Sequence, residues 1–303
     1  MAMLETSVNE EVSAPAAALK QSAARLSIAT AAVLIVLKTA TGLLTGSISV
    51  WASLLDSVTD IIASVINYLV IRIAARPADE DHTYGHEKAE SLGALCQALI
   101  ISVSGSLIIW GAINRILKPV APDAAWLGIG SMFVSMMISF ALVRRLRRVA
   151  RETNSPALQS DAAHYATDIG TALSALIALL LVALTGWKLA DPIISIGISL
   201  YILWSAVGIA RRSVDILMDR HIGTDADAQI ARIVSNYHHE GVRGFHKLRS
   251  RYSGAQRFID LHLEVEENKT FREAHDVTVK VIRAIEAEIP QVSVHIHTDP
   301  VKP

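Results

Sequence analysis

Six stretches of the chain run apolar for about 20 residues, the length a helix needs to cross a hydrocarbon layer about 30 Å thick. They are Leu26–Gly46, Ile48–Ile73, Leu92–Ile113, Ala124–Val143, Leu158–Thr185 and Pro192–Ile209. Their residues are mainly Leu, Ile, Val and Ala with scattered Gly and Ser, and small residues let helices approach closely in lipid. The pattern changes after residue 220. Asp225–Glu240 carries Ile230, Ile233 and Val234 at helical spacing, and Phe258–Glu266 alternates with period two. That alternation sets Ile259, Leu261, Leu263 and Val265 on one face, with Asp260, His262 and Glu264 on the other. Phe271–Glu288 reads as a second helix that ends before Pro290. Val292–Asp299 alternates again, with His295, His297 and Asp299 on one face. The predicted fold is an α-helical integral membrane protein with six transmembrane helices (residues 25–220), followed by a small α+β layer (residues 221–303). Residues 1–24 are polar, alanine-rich and acidic, with no basic stretch leading to a cleavage site, and read as a disordered tail.

Composition sharpens this division. The 303 residues are 51% hydrophobic and 19% charged, with a mean hydropathy of +0.38. Of the 28 basic and 29 acidic residues, 17 of each precede residue 221, so the charge density roughly doubles at the boundary. A net charge of −1 gives no basic excess for nucleic-acid binding. The single cysteine, Cys96, excludes an intrachain disulfide and CxxC-type zinc sites. Basic residues flanking the spans are distributed unevenly. Lys20, Arg25, Arg72, Arg76, Lys88, Arg144, Arg145, Arg147, Arg148, Arg151, Arg211 and Arg212 lie on one side, against Arg115, Lys118 and Lys188 on the other. By the positive-inside rule both termini are cytoplasmic.

Against that apolar background, ionisable residues inside the spans stand out, because a charge at the bilayer centre costs several kcal/mol. Helix two carries Asp56 and Asp60, and helix five carries His164 and Asp168. Each pair is spaced i, i+4 and so shares a helix face. At 1.5 Å per residue, Asp56 and Asp60 lie roughly 12 and 18 Å from the outer edge, and His164 and Asp168 roughly 10 and 16 Å from the inner edge. Antiparallel packing then levels Asp60 with His164 and Asp56 with Asp168. Three carboxylates and an imidazole suit tetrahedral Zn²⁺ and are oxygen-rich enough for Fe²⁺, Mn²⁺ or Cd²⁺. Hydrogen-bonded polar glue between helices explains one such pair well and two matched pairs poorly. Three buried carboxylates cannot all stay ionised without a cation, so protons should occupy the site when metal does not. His164 is the candidate for the exchanging proton. If each membrane face is exposed in turn, this competition is proton–metal antiport. Asp161 shares the His164 face but reads as a solvated residue near the helix start, and Lys38 as a snorkelling or ion-paired residue.

Between helices two and three, Asp79, His82 and His86 offer three ligands within eight residues, while HExxH occurs nowhere. The run His82-Thr-Tyr-Gly-His-Glu-Lys-Ala-Glu-Ser91 resembles the signature of the cation diffusion facilitator family. So do Leu-Leu-Asp56-Ser-Val-Thr-Asp60 and His164-Tyr-Ala-Thr-Asp168. The resemblance runs from about residue 25 to the C-terminus. It implies a homodimeric, proton-coupled exporter in a bacterial inner membrane, with a ferredoxin-like cytoplasmic domain. Carried over, it implies a transport site of Asp56, Asp60, His164 and Asp168 and a loop site of Asp79, His82 and His86. It also implies a dimer charge interlock of Lys88 with Asp219.

Eight of the eleven histidines follow residue 220. A lone histidine on a polar strand face is usually just solvated, but neighbouring strands can gather several. The resemblance supports His246, His262, His275, His297 and Asp299 as a cytoplasmic site that stabilises the dimer or senses metal. His238, His239 and His295 stay unassigned. Two functions remain in competition: a metal exporter, and a membrane-anchored metal sensor or scaffold signalling through its soluble domain. An enzyme is not expected, since no nucleophile–base arrangement is recognisable.

Overall fold

The computed structural model describes residues 2–45, 48–117, 126–185 and 189–302. Helix side chains at 2–14, 45, 48–53, 55, 56, 126–129, 178, 179, 182, 183 and 191 lie outside that description. The chain divides into two units, Met1–Val214 and Asp215–Pro303.

The first unit consists of six long helices: α1 (Ala2–Thr45), α2 (Ile48–Ala74), α3 (Lys88–Leu117), α4 (Trp126–Thr153), α5 (Pro156–Thr185) and α6 (Ala190–Leu217). On α4, Leu142, Val143, Leu146, Val149 and Ala150 recur at three- and four-residue steps and form one buried stripe. That stripe meets Ala157, Leu158, Ala162 and Tyr165 of α5 and Ala23 and Ala24 of α1. Large apolar side chains elsewhere, such as Leu107, Trp110 and Trp204, point outward and are exposed. A soluble bundle would bury them; a bilayer solvates them. Helices α2 and α3 touch at Gly93, where a Cβ would fall 2.6 Å from Val70 Cγ1. Among the described residues, four candidate spans have the length and apolarity to cross a membrane: Pro15–Leu44, Ser57–Ala74, Lys88–Leu117 and Pro192–Leu217. The other two helices, α4 and α5, are 28 and 30 residues long; their described parts carry the arginine cluster and Asp161, His164 and Asp168.

The start of α5 is fixed locally. Asn154 adopts φ 49° and turns the chain, Ser155 Oγ accepts from Leu158 N at 3.2 Å, and Pro156 opens the helix where a missing N–H does no harm. The Ser155 hydroxyl also donates to the Glu90 carboxylate, which pairs with Lys20 Nζ at 2.7 Å. This buried contact ties α1, α3 and α5 together, and removing one partner of such a pair costs about 3–5 kcal/mol.

One expectation is corrected here. Residues 1–24 read as disordered, yet α1 extends back to Ala2, and from Pro15 onward its side chains are described. Leu19, Ala23 and Ala24 pack on the bundle core and Lys20 pairs with Glu90. Alanine's helix propensity lets the helix continue, and neighbours distant in sequence supply its packing.

The second unit contains, in order, α7 (Thr224–Ser235), a 3₁₀ turn (His238–Glu240), β1 (Val242–Ser253), β2 (Gln256–Glu266), α8 (Phe271–Glu288) and β3 (Val292–Val301). The sheet order is β1-β2-β3, antiparallel and then parallel, and α8 supplies the crossover that a parallel pair requires. Ile230 and Ile233 of α7 and Val277, Val281 and Ile285 of α8 cover Ile259, Leu261, Leu263 and Val265 of β2. The helices thus take the apolar face of the sheet and leave the histidine face open, the small α+β layer expected.

Helix α8 begins with a capping box: Thr270 Oγ1 accepts from Glu273 N at 3.3 Å, and Glu273 accepts from Thr270 N at 2.8 Å. The Thr270 hydroxyl, then its backbone N–H, hold the Glu273 carboxyl below its ordinary range. A lowered carboxyl stabilises the fold above its unfolded pKa, and that contribution is lost as pH falls through the folded value. Thr270→Ala should therefore destabilise the fold at neutral pH, through the lost cap and the lost contact with Glu273. Denaturation followed over a pH series should show the gap to wild type closing in acid; a gap independent of pH would remove the carboxyl from the account.

Candidate metal centre

Three groups of ligand side chains converge among the described residues, one in the helix bundle, one in a loop and one on the open sheet face. In each, one ligand atom per residue lies within 4.8 Å of the others. A tetrahedral ion with bonds of about 2.0–2.1 Å spaces its ligands about 3.4 Å apart, so these separations fit the donors to a small divalent cation.

In the bundle, Asp60 of α2 and His164 of α5 meet through His164 Nε2 and Asp60 Oδ1 at 3.0 Å, both buried, with half-buried Asp168 completing the group. The sequence arithmetic levelled Asp60 with His164, and the two side chains touch. Asp56 lies one turn earlier on α2, and its side chain is outside the described residues. Beside this group, Ser64 donates to Tyr165 Oη at 2.9 Å, and Tyr165 donates to the Ser27 carbonyl at 3.3 Å. Helices α1, α2 and α5 are thereby joined one residue from His164. Asp161 is not the solvated residue expected: it is buried at 1% exposure and accepts from Ser27 Oγ at 2.6 Å. Its helix face turns toward α1, which sequence alone could not place. Lys38 donates to Ser57 Oγ at 2.7 Å.

In the loop, a tight turn through Gly85 (φ 81°) folds the ligands together. Asp79 accepts from the His82 backbone N–H at 2.7 Å, while His86 Nε2 and His82 Nδ1 stand 3.2 and 3.4 Å from its carboxylate. Donation from His86 Nδ1 to the Pro77 carbonyl at 3.2 Å leaves Nε2 facing the aspartate. The His82 N–H, with the two imidazoles, holds the Asp79 carboxyl below its ordinary range.

On the sheet, register does the gathering: His246 pairs with His262, and His262 with His297. Asp299 receives His262 Nδ1 at 2.8 Å, His246 Nε2 at 3.2 Å and His297 Nε2 at 3.2 Å. The His262 hydrogen bond, followed by the three nearby imidazoles, lowers the Asp299 carboxyl from its ordinary value. His275 is not brought to this group within the chain. It lies exposed on α8, stacked on Phe271 at 6.4 Å, because α8 covers the opposite face of the sheet. His295 is exposed on β3, opposite Asp260, and His239 stands 3.8 Å from Glu240. One residue of this site went unnoticed in the sequence: Glu264, whose Oε1 lies 3.0 Å from His246 Nδ1. Strand alternation had placed it on the His262 face, but its contact with β1 depends on register. Lys88 opens α3 in the first unit; Asp219 in the second, at φ 56°, accepts from Arg251 at 3.3 Å.

Apolar helices with outward hydrophobic surface around a buried carboxylate–imidazole group define a membrane protein that handles cations. Comparison with known proteins makes the class specific. Residues 24–218 match the cation efflux transmembrane domain, and residues 222–301 match the cytoplasmic domain of cation efflux proteins. The chain is 39% identical over 278 residues to the cation-efflux pump FieF of Klebsiella pneumoniae, covering 92% of each. It is 40% identical over 278 residues to FieF of Salmonella agona, again covering 92% of each. Smaller likenesses to solved structures include the metal-bound C-terminal domain of the CzcD transporter from Thermotoga maritima (26% identity, 25% of this chain and 87% of that one, TM-score 0.24). Another is a zinc form of the transporter CzrB (23% identity, 27% and 92%, TM-score 0.26). The chain belongs to the cation efflux family, the cation diffusion facilitators. It is a multi-pass membrane transporter, not an enzyme.

Asp299→Ala removes the carboxylate that three imidazoles share. Equilibrium dialysis of the full-length variant in detergent should show Zn²⁺ binding at the sheet group weakened more than about 100-fold, beyond the range for an outer-shell change. Unchanged affinity would exclude Asp299 as a ligand.

Proposed function

We propose that this chain exports Zn²⁺ from the cytoplasm in exchange for protons, by alternating access through the helix bundle. The observation that carries the reading is the buried contact of Asp60 with His164, completed by Asp168, between α2 and α5. Asp56, Asp60, His164 and Asp168 form the transport site, and His164 exchanges the proton. Metal binding demands a neutral imidazole and ionised carboxylates, so each ion entering the site displaces protons. Fe²⁺, Cd²⁺ and Mn²⁺ are admitted by the same donors, which contain no sulfur.

The organisation follows from this reading. All six helices of residues 25–220 span a bacterial inner membrane, both termini face the cytoplasm, and residues 221–303 form the cytoplasmic domain. The protein works as a homodimer, held in part by charge pairing of Lys88 with Asp219; the family's cytoplasmic domain is itself named for dimerisation. The loop group (Asp79, His82, His86) binds metal on the cytoplasmic side. The sheet group with His246, His262, His297 and Asp299 retains metal that stabilises the dimer or reports cytoplasmic supply.

Reconstituted proteoliposomes test the transport claim. Zn²⁺ uptake should rise when the lumen is more acidic than the bath, and should alkalinise the lumen in step with flux. Asp60→Ala should abolish uptake while the protein stays folded and dimeric. Uptake indifferent to pH would remove the antiport, undiminished uptake by Asp60→Ala would remove the site, and no wild-type uptake with intact metal binding would favour a sensor.

A further inference from the structure

We propose that Glu264 is the positioning residue of the cytoplasmic metal group, holding His246 in the tautomer and orientation that ligate metal. The inference rests on the reading of the sheet group as a metal site. His246 is held at both ring nitrogens: Glu264 Oε1 lies 3.0 Å from Nδ1, and Asp299 Oδ2 lies 3.2 Å from Nε2. The two ends are not equivalent. Asp299 also meets His262 and His297, so a cation bridging these side chains enters on the Nε2 side. Glu264 is left at Nδ1. A carboxylate only accepts hydrogen bonds, so it keeps the proton on Nδ1 and the lone pair on Nε2. A carboxylate behind a ligating imidazole fixes its orientation and raises its basicity.

The backbone explains why His246 needs such a partner. The β1–β2 ladder shifts register between Val242 and Gly244 and again between His246 and Arg249, and Lys247 sits at φ 51°. His246 therefore lies between two irregularities, where the pleat alone does not aim its side chain. Glu264 pairs with Gly244 across the ladder, and a Cβ on Gly244 would fall 3.1 Å from Glu264 Oε2. Glycine at this position keeps open the space in which the glutamate folds back onto His246. The absent side chain on one strand and the carboxylate on the next act as one device.

The test uses the full-length chain in detergent, in an Asp60→Ala, Asp79→Ala background that disables the bundle and loop groups. Co²⁺ is the probe, because its d–d absorption reports ligand number while titration reports affinity. Glu264→Ala should weaken Co²⁺ binding about 10- to 100-fold yet give the parent spectrum at saturation. Glu264→Gln, whose amide oxygen still accepts from Nδ1–H, should recover most of the affinity. Gly244→Ala should lose affinity with the glutamate intact. Parent-like affinity in Glu264→Ala would overturn the proposal. So would a saturated spectrum missing a ligand, since Glu264 would then bind metal itself. Parent-like affinity in His246→Ala would instead show that the sheet group is not the metal site.

Discussion

Everything in the helix bundle is arranged around one awkward requirement: a carboxylate and an imidazole must sit inside apolar packing and stay in contact. Asp60 and His164 meet at 3.0 Å on helices 104 residues apart in sequence. Neither side chain could be buried alone, because an unpaired charge in a low dielectric costs several kcal/mol. The surrounding structure serves that contact. Ser155 and Pro156 set where α5 begins, and so which turn carries His164. The buried Lys20–Glu90–Ser155 contact fixes α5 against α1 and α3. Tyr165, in hydrogen-bond contact with Ser64 and the Ser27 carbonyl, fixes it against α1 and α2.

The same few donors recur in three settings, and the setting decides what each can do. The bundle group is buried, with His164 at 6% exposure, so its charge must be balanced within the site. The loop and sheet groups face water, and their aspartates are held ionised by hydrogen bonds from a backbone N–H and an imidazole. Solvated sites of this kind exchange metal with the aqueous pool directly. A buried site does so only when the protein opens a path to one side. On the proposed reading, the arrangement separates a site suited to carrying an ion from sites that stay in equilibrium with the aqueous pool, without any change in ligand chemistry.

How much of this was legible in the sequence depended on whether one element or two were needed. Depth arithmetic levelled Asp60 with His164 because helix rise is constant and antiparallel packing leaves little freedom. The loop ligands sit within eight residues, so local turn geometry suffices to join them. Strand alternation likewise put His262 on the open face and Leu261 in the core. The misreadings all involve a partner from elsewhere in the chain. Asp161 looked solvated until α1 supplied Ser27, and residues 15–24 looked disordered until α3 supplied Glu90. His275 shares a domain with the other histidines but sits on a helix that covers the wrong face of the sheet. Glu264 lay on the correct face, and only the shifted register of β1 shows that it reaches His246.

Burial also bears on how an ion could leave the bundle group once bound. Ligands tight enough to strip water from a divalent cation hold it too well for release on any useful timescale unless something replaces it. In an apolar surround the replacement must restore neutrality as well as satisfy the donors, and the cations small enough to do both on a carboxylate or an imidazole are protons. In the proposed transport cycle, proton exchange therefore follows from where Asp60 and His164 sit and needs no added device. Moving the same ligands to a solvated surface would remove the need for it, which is why metal held at the loop or sheet group would need no such coupling.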